Sequence, residues 1–350
     1  MAPDYFHRVH QETPTRLWIN NPSGEQTHRA LEVGAVNCTT NPSYCSKLLQ
    51  SEPDYLRGVI DKVVQQEDDN DTAAAQVYLE CAARVMRMFL PVHNASGGRL
   101  GYVTIQDDPR QDDDPDQIVN AALRAQALGP NSMAKVPVIE SGMVALEELV
   151  ARNVPCCATE VFAVTQSIEI CQRYKRATRK SGNHPPFYVT HITGIFDQYL
   201  GELAKSEHIR IDAQTLAQAG SIICRKEYHV LKERGFEGTM LGGGARGLEH
   251  FTEFVGGDIH ITLNWREIEA LLELDGPVVK RMDTATPTEV LDELSAKLPN
   301  FRRAYNVGAI EPQEFAGFGP LVLFRTMFLN GYARLLDEVA ERRARSHGGV

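Results

Sequence analysis

Short apolar runs alternate with longer amphipathic stretches along most of this chain, and that alternation restricts the folds it can adopt. Runs rich in β-branched residues predict eight strands over residues 16–20, 35–39, 101–106, 133–138, 154–159, 187–192, 238–241 and 258–263. Apolar residues at helical spacing predict helices over residues 55–66, 72–90, 118–128, 143–152, 164–180, 215–234, 248–254 and 268–274. Strands that alternate with helices pair in parallel, and eight of them within about 250 residues predict a (β/α)8 barrel. An open dinucleotide-binding sheet is disfavoured because no Gly-x-Gly-x-x-Gly motif follows the first run.

The last part of the chain predicts a helical extension of a single barrel domain that covers residues 1–350. The barrel occupies about residues 16–275 and the extension about residues 277–350, without a low-complexity linker between them. An apolar segment at residues 315–327 contains a break rich in glycine and proline. We expect this segment to be buried, with core packing favoured over a subunit interface. The extension as a whole is expected either to cover the barrel mouth or to build a homo-oligomer.

Composition and charge exclude several classes of protein. Hydrophobic residues make up 43% of the chain and charged residues 23%, as in folded globular proteins. No apolar run reaches the roughly 18 residues of a membrane span, and the first residues lack the apolar segment of a signal peptide. A net charge of −10 disfavours binding to nucleic acids and anionic membranes. We therefore expect a cytoplasmic protein without nucleic-acid or membrane partners, in which a local basic pocket still suits one small phosphate.

Cysteine and acidic residues give no metal-binding pattern. The seven cysteines include no Cys-x-x-Cys pair, which predicts reduced thiols rather than disulfides or a zinc site. Acidic residues cluster at positions 107, 108, 112, 113, 114 and 116, where a solvated loop and helix start is favoured over a cation site. We predict that the protein binds no metal.

Functional side chains of such a barrel lie at the carboxyl ends of its strands. That rule selects Asn20, Asn41, Gln106, Lys135, Thr159, Tyr188, His191 and Arg246. Lys135 is the most informative because it lies in an otherwise apolar strand, Met-Ala-Lys-Val-Pro-Val. A desolvated lysine has a lowered pKa, which suits an amine that attacks a carbonyl, whereas a structural lysine at a barrel end pairs with a carboxylate. The residues alone favour neither interpretation.

Five segments resemble the transaldolase family of class I aldolases, which hold a ketose as a lysine Schiff base. They are residues 36–43 (VNCTTNPS), 135–142 (KVPVIESG), 157–162 (CATEVF), 188–191 (YVTH) and 242–251. Thr-Thr-Asn-Pro-Ser together with Lys-Val-Pro at this separation is specific, whereas either motif alone is weak. The resemblance implies that Lys135 forms the Schiff base and that Thr159 holds the catalytic water. Asn41, with Thr40 and Ser43 in the same loop, is implied to bind substrate hydroxyls.

Two positions resemble the fructose 6-phosphate aldolase branch of that family. Gln106 occupies the site where transaldolases carry a glutamate, and Tyr188 the site where they carry a phenylalanine. In that branch a glutamine, a tyrosine and the threonine position the water. Because a glutamine does not titrate, we expect a flatter acid limb in the pH–rate profile than a glutamate would give.

One departure from the family concerns the proton of the reacting hydroxyl. Asn20 stands where the family has an aspartate that acts on the hydroxyl next to the broken carbon–carbon bond. An amide cannot accept that proton at neutral pH. Glu25 and Asp107 are candidates to replace the aspartate.

A second departure concerns phosphate binding. The loop at residues 242–247 (GGGARG) precedes a predicted helix, so it suits an anion, although the residues alone favour a tight turn. By resemblance, Arg246 keeps a basic position of the family's phosphate site, whereas Gly244 replaces a serine and His191 replaces an arginine. We expect a weakened or altered phosphate site.

The resemblance thus implies an enzyme of carbohydrate metabolism that transfers a dihydroxyacetone unit from a ketose to an aldehyde. Two alternatives remain, a class I aldolase with an altered substrate and a non-catalytic homologue in which Asn20 marks lost activity. The expected partner is a sugar or sugar phosphate, and no cofactor is expected because a lysine iminium supplies the electrophile.

Overall fold

Eight parallel strands close into a barrel in this protein, whose computed structural model describes residues 3–106 and 108–347. The strands are β1 (Arg16–Asn20), β2 (Asn37–Thr39), β3 (Val103–Ile105), β4 (Ser132–Pro137), β5 (Cys156–Val161), β6 (Phe187–Ile192), β7 (Thr239–Gly243) and β8 (Ile259–Leu263). They pair in sequence order, and β1 pairs with β8 to complete the ring. The predicted (β/α)8 barrel is confirmed, and each predicted strand overlaps the observed one.

Helices surround the barrel. Those before the C-terminal extension are α1 (Tyr5–Glu12), α2 (Gly24–Glu32), α3 (Tyr44–Ser51), α4 (Pro53–Val63), α5 (Asn70–Ala95), α6 (Pro115–Gln126), α7 (Glu140–Ala151), α8 (Val164–Ser181), α9 (Thr193–Ser206), α10 (Ala213–Leu216), α11 (Ala219–Glu233), α12 (Glu249–Thr252) and α13 (Trp265–Leu274). Four of them, α1, α2, α3 and α9, were not predicted, and the single helix predicted over 215–234 is divided into α10 and α11. None of the helices in the described residues is long and apolar enough to cross a membrane.

The barrel interior has an apolar layer beneath a polar one. The apolar layer consists of the buried residues Trp18, Tyr102, Met133, Cys157, Tyr188 and Leu241. Successive side chains of a strand point to opposite faces, so the residues two positions further along each strand also point inward. Those residues include Asn20, Lys135 and Thr159, which places polar groups above an apolar floor at the carboxyl end of the barrel.

The C-terminal extension crosses the open end of the barrel. It contains α14 (Thr288–Lys297), α15 (Pro299–Tyr305), a 3₁₀ helix (Pro312–Gly317) and α16 (Gly319–His347). Phe315, Phe318 and Leu321 are almost fully buried in the main core, as predicted for the apolar segment at 315–327. Phe324 and Phe328 of α16 reach the cavity above Lys135. The extension therefore covers the barrel mouth, which was one of the two predicted arrangements.

Candidate active site

Lys135 stands in the upper layer of the barrel on β4 and is only 7% exposed. Its Nζ atom lies 5.5 Å from the centroid of the Phe328 ring. Burial lowers the pKa of Lys135, whereas Cys157, Glu160 and Asp112 oppose that shift electrostatically. Among the described residues, none forms a hydrogen bond or a close ion pair with Nζ. The predicted alternative of a lysine paired with a carboxylate is therefore not observed, and the site favours a neutral amine.

A cavity of about 250 Å³ lies between Lys135 and α16. Its walls are formed by Asn20, Asn21, Thr39, Asn41, Ser43, Lys47, Lys135, Thr190, Ile192, Ile195, Gly243, Gly244, Arg246, Thr262, Asn264, Phe324, Met327 and Phe328. Six of the residues predicted from the sequence are among them, namely Asn20, Asn41, Ser43, Lys135, Gly244 and Arg246. No carboxylate lines this cavity in the described part of the chain.

Asn20 is held by neighbouring polar groups at the end of β1. Its Oδ1 atom accepts a hydrogen bond of 3.0 Å from Thr39 Oγ1, and its Nδ2 donates to Asn264 Oδ1 at 2.9 Å. Thr39 Oγ1 is also 2.7 Å from Thr262 Oγ1. This end of the barrel therefore offers amides and hydroxyls, which bind sugar hydroxyls well and do not titrate at neutral pH.

The loop after β2 brings Asn41 and Ser43 to the cavity. Asn41 Oδ1 accepts a hydrogen bond of 3.0 Å from the Ser43 N–H, and Ser43 Oγ donates to the Met327 carbonyl at 3.3 Å. The prediction for Thr40 is wrong, because its side chain points out of the barrel. Thr40 Oγ1 donates to the Thr104 carbonyl at 2.6 Å and lies 2.8 Å from Tyr78 Oη.

Two cations besides Lys135 face the cavity. Lys47 Nζ donates to Asn264 Oδ1 at 3.2 Å, and Arg246 Nη1 donates to the Ala245 carbonyl at 3.2 Å. The side chain of Lys47 is exposed at the rim of the cavity. Desolvation by the surrounding protein nevertheless lowers its pKa to about 8, and the charges of Arg246 and Lys135 act in the same direction. Gly244 adopts φ +65°, and a Cβ there would lie 2.6 Å from Ile192. Only glycine fits this turn without displacing the wall.

Gln106 and Thr159 flank Lys135 on the two neighbouring strands. Gln106 follows β3, and its Nε2 donates to Glu160 Oε1 at 3.0 Å. Thr159 is fully buried on β5, and its Oγ1 has no hydrogen-bond partner among the described residues. Both predicted residues thus lie beside the lysine. Glu160 accompanies them, although it was not predicted as a site residue.

A β-bulge explains the position of Glu160. Ala158 pairs with Val189 and Val161 pairs with His191, so two residues of β5 lie opposite Thr190 alone. Glu160 has φ +63°, which is uncommon for a residue with a side chain. The bulge turns its carboxyl toward Gln106, where Glu160 is 1% exposed.

The acidic segment before α6 is less solvated than predicted. Asp108 is 9% exposed and Asp112 is 5% exposed, although Asp114 caps the helix as expected. Asp113 forms a two-pronged ion pair with Arg325 of α16, at 2.9 and 3.0 Å. Burial and the neighbouring Glu160 raise the pKa of Asp112 well above its usual range. The segment thus attaches the covering helix and places a second carboxyl near Lys135.

Tyr188 does not reach the cavity, contrary to the prediction. Its ring lies in the lower layer of the barrel, 4.8 Å from the Trp18 ring and 5.3 Å from the His260 ring. Burial raises the pKa of its hydroxyl. The residue that β6 presents above it is Thr190.

His191 also lies elsewhere than predicted. It faces outward from β6 and is fully buried against α11, with Nδ1 3.1 Å from Glu227 Oε1. Its place at the cavity is taken by Ile192 and Ile195. Of the two candidates to replace the family aspartate, Glu25 is exposed on α2 and does not line the cavity, and Asp107 lies outside the described residues.

Other cavity residues were missed for identifiable reasons. Asn264 directly follows β8, and the predicted strand already ended at Leu263, so the carboxyl-end rule could have selected it. Lys47 lies one helical turn after Ser43, which makes it a neighbour of the loop. Phe328 is distant from Lys135 in the sequence, and no pattern in the residues next to Phe328 indicated a contact with Lys135.

Comparison with known proteins identifies the family. A sequence profile described as Transaldolase/Fructose-6-phosphate aldolase matches residues 17–306. A transaldolase of Mycobacterium ulcerans is 25% identical over 221 residues, which cover 57% of this chain and 59% of that protein. Transaldolase 1 of Streptomyces avermitilis is 27% identical over 245 residues, which cover 62% of this chain and 61% of that protein. The chain thus matches about three-fifths of the length of these relatives. Because the profile covers well over half of the chain, and the barrel it implies is the one observed, this chain belongs to the Transaldolase/Fructose-6-phosphate aldolase family.

Proposed function

We propose that this protein is a transaldolase-like enzyme that binds a ketose as a Schiff base on Lys135. It then transfers a three-carbon dihydroxyacetone unit to an acceptor aldehyde. The observation that carries the proposal is the buried Lys135 amine, which faces a cavity and lacks an ion-pair partner among the described residues. An amine must be neutral to attack a carbonyl, and desolvation favours that state.

The cavity walls support a phosphorylated, polyhydroxylated substrate. Asn20, Asn41 and Thr39 offer donors and acceptors for hydroxyls near Lys135. Lys47 and Arg246 supply positive charge without a competing carboxylate among the described lining residues. A phosphate between these two cations pairs with both, and their positive charge counters the repulsion that a net charge of −10 exerts on an anion.

The proposed reaction begins when the neutral amine adds to the ketose carbonyl and water is lost. The neighbouring hydroxyl loses its proton to water, and the electron pair of the carbon–carbon bond that breaks moves to the iminium. An aldehyde leaves and an enamine stays on Lys135. A transferase then adds the enamine to an acceptor aldehyde, whereas an aldolase protonates and hydrolyses it. Because Asn20 cannot take the hydroxyl proton, we expect bond cleavage to be slower than imine formation.

The aldolase reaction is the second candidate, and Gln106 is the observation that favours it. Glutamine at this position resembles the aldolase branch, although Tyr188 no longer supports that assignment. Incubation with fructose 6-phosphate and a ¹³C-labelled acceptor aldose phosphate separates the two reactions. A transferase gives a labelled, longer ketose phosphate, and an aldolase gives free dihydroxyacetone. If the protein forms neither product and also forms no imine, both the transferase and the aldolase proposals are contradicted.

A further inference from the structure

Glu160 is a buried charged side chain in a strained position, and barrel packing alone does not account for it. It is 1% exposed and has φ +63°. A non-glycine residue in this conformation is strained, and a buried carboxyl adds a desolvation cost. Strained and desolvated residues are common at functional sites, so the groups around Glu160 are used to infer its function.

Those surroundings are buried polar atoms that flank the reactive lysine. Gln106 Nε2 holds Glu160 Oε1 at 3.0 Å and leaves Oε2 without a partner in the described structure. Thr159 Oγ1 and Gln106 Oε1 likewise have no partner among the described residues. These atoms lie on β5 and directly after β3, the neighbours of β4, which carries Lys135. Native proteins leave few buried polar atoms unpaired, so this arrangement is suited to a reacting group or a bridging water.

We propose that Glu160 is the acid–base carboxyl of the Lys135 site and that Gln106 positions it. The inference rests on the proposed Schiff-base function and deepens it. It corrects the expectation of a site without a titrating group. The carboxyl that transaldolases carry at the position of Gln106 is here supplied from β5, at the other end of one hydrogen bond.

The proton step balances as follows. Lys135 nitrogen bonds to the ketose carbonyl carbon, and one ammonium proton moves to the oxygen to give a carbinolamine. The protonated Glu160 then donates its proton through a bridging water to that hydroxyl. The C–O bond breaks, water leaves, and the nitrogen lone pair forms the C=N bond of the iminium, while Glu160 becomes a carboxylate. Hydrolysis reverses these steps, with Glu160 taking a proton from the attacking water.

The charges around Glu160 are compatible with this role. Burial raises the pKa of Glu160, while the Gln106 hydrogen bond, Lys135 and Arg325 act in the opposite direction. Asp112 faces it from the loop before α6. The raised pKa keeps a proton on the carboxyl closer to neutral pH than on an exposed glutamate.

A purely structural role is separated from this one by an isosteric change. Glu160→Gln keeps an oxygen that accepts from Gln106, but it cannot transfer a proton. The double variant Glu160→Gln with Gln106→Glu moves the carboxyl across the same hydrogen bond. Glu227→Gln is the matched control, because Glu227 is equally buried but lies outside the barrel against His191.

The test measures imine formation directly, with dihydroxyacetone as the probe. Samples are quenched with borohydride over time, and the reduced adduct on Lys135 is quantified by mass spectrometry across pH. We expect Glu160→Gln to slow adduct formation about 10²–10⁴-fold and to lose the basic limb of the wild-type profile, where Glu160 gives up the proton that it must donate. The double variant should recover at least about tenfold, and Glu227→Gln should match wild type.

The outcomes distinguish this inference from the proposed function. A Glu160→Gln rate within about threefold of wild type, an equal loss in Glu227→Gln, or no recovery in the double variant would each overturn the inference. Failure of wild type to form any Lys135 adduct would refute the proposed function and the inference with it. Thermal melting shows whether Glu160→Gln folds. If it does not fold, the rate of adduct formation of the double variant is compared with that of wild type instead, because the double variant retains one carboxyl and one amide at this hydrogen bond.

Discussion

Lys47 gives the sharpest prediction about the substrate, because it is the exposed cation at the cavity rim. Replacing it by methionine removes the charge and keeps most of the apolar stem. A hydrogen bond to a charged group contributes about 1.5–3 kcal/mol, and an exposed ion pair at most about 1 kcal/mol. The contribution of Lys47 should lie between these two values, because its side chain is exposed but lies near Arg246 at a confined cavity. We therefore expect a loss of about 1.4 kcal/mol, or about tenfold in kcat/KM, for a phosphorylated ketose.

The assay compares fructose 6-phosphate with fructose as donor. Lys47→Met should lower kcat/KM about tenfold for the phosphorylated sugar and less than about twofold for fructose. Lys62→Met, on the exposed face of α4, is the control and should change neither. Because the pKa of Lys47 is lowered to about 8, the wild-type preference for phosphate should decline as the pH rises through 8. An equal loss for both sugars, or an unchanged phosphate preference, would refute this assignment.

Three further changes test other parts of the site. Phe328→Ala should destabilise the protein by about 3 kcal/mol in denaturant unfolding. Water beside Lys135 should also raise its pKa and move the acid limb of imine formation to higher pH, because the amine must lose its proton to react; an unchanged limb would contradict the role of α16. Asp112→Asn should raise the free energy of unfolding near pH 7 by at least about 1 kcal/mol. Burial raises the pKa of Asp112, so ionisation of this carboxyl lowers the free energy of unfolding as the pH rises above 3.8. The variant should lack this loss of stability, and a stability–pH curve identical to that of the wild type would contradict the prediction. Asn20→Asp should speed carbon–carbon cleavage at least about tenfold in single-turnover assays while imine formation stays unchanged, and equal cleavage rates would show that Asn20 does not limit the reaction.

The barrel could be predicted because strands buried on both faces give near-continuous apolar runs. The missed helix α2 (Gly24–Glu32) shows the limit of that signal. Only Thr27 and Ala30 are buried in it, so it has almost no apolar pattern. Its beginning is nevertheless marked by a capping box between Ser23 and Gln26, which periodicity alone ignores.

Site residues were predicted correctly where the end of a strand alone placed them. They were missed where the prediction also depended on which side chains of the strand point into the barrel. Asn20 and Lys135 could be placed because they lie at carboxyl ends and point inward. His191 was misplaced because one residue along a strand reverses the face. Tyr188 was misplaced because it points inward one layer below the cavity, and the phase of β6 is visible only in the structure. Glu160 could not be predicted, since regular alternation turns it outward and only the bulge brings it to Gln106.

The central claim is that Lys135, rather than another amine, attacks the substrate carbonyl. Lys47 is the natural rival, because it lines the same cavity and its pKa is lowered to about 8. The most direct measurement is borohydride reduction of the wild-type protein with fructose 6-phosphate, followed by peptide mapping of the adduct. A single adduct on Lys135, absent from Lys135→Met and retained in Lys47→Met, is the predicted result. An adduct on Lys47, or none on the wild-type protein, would contradict it.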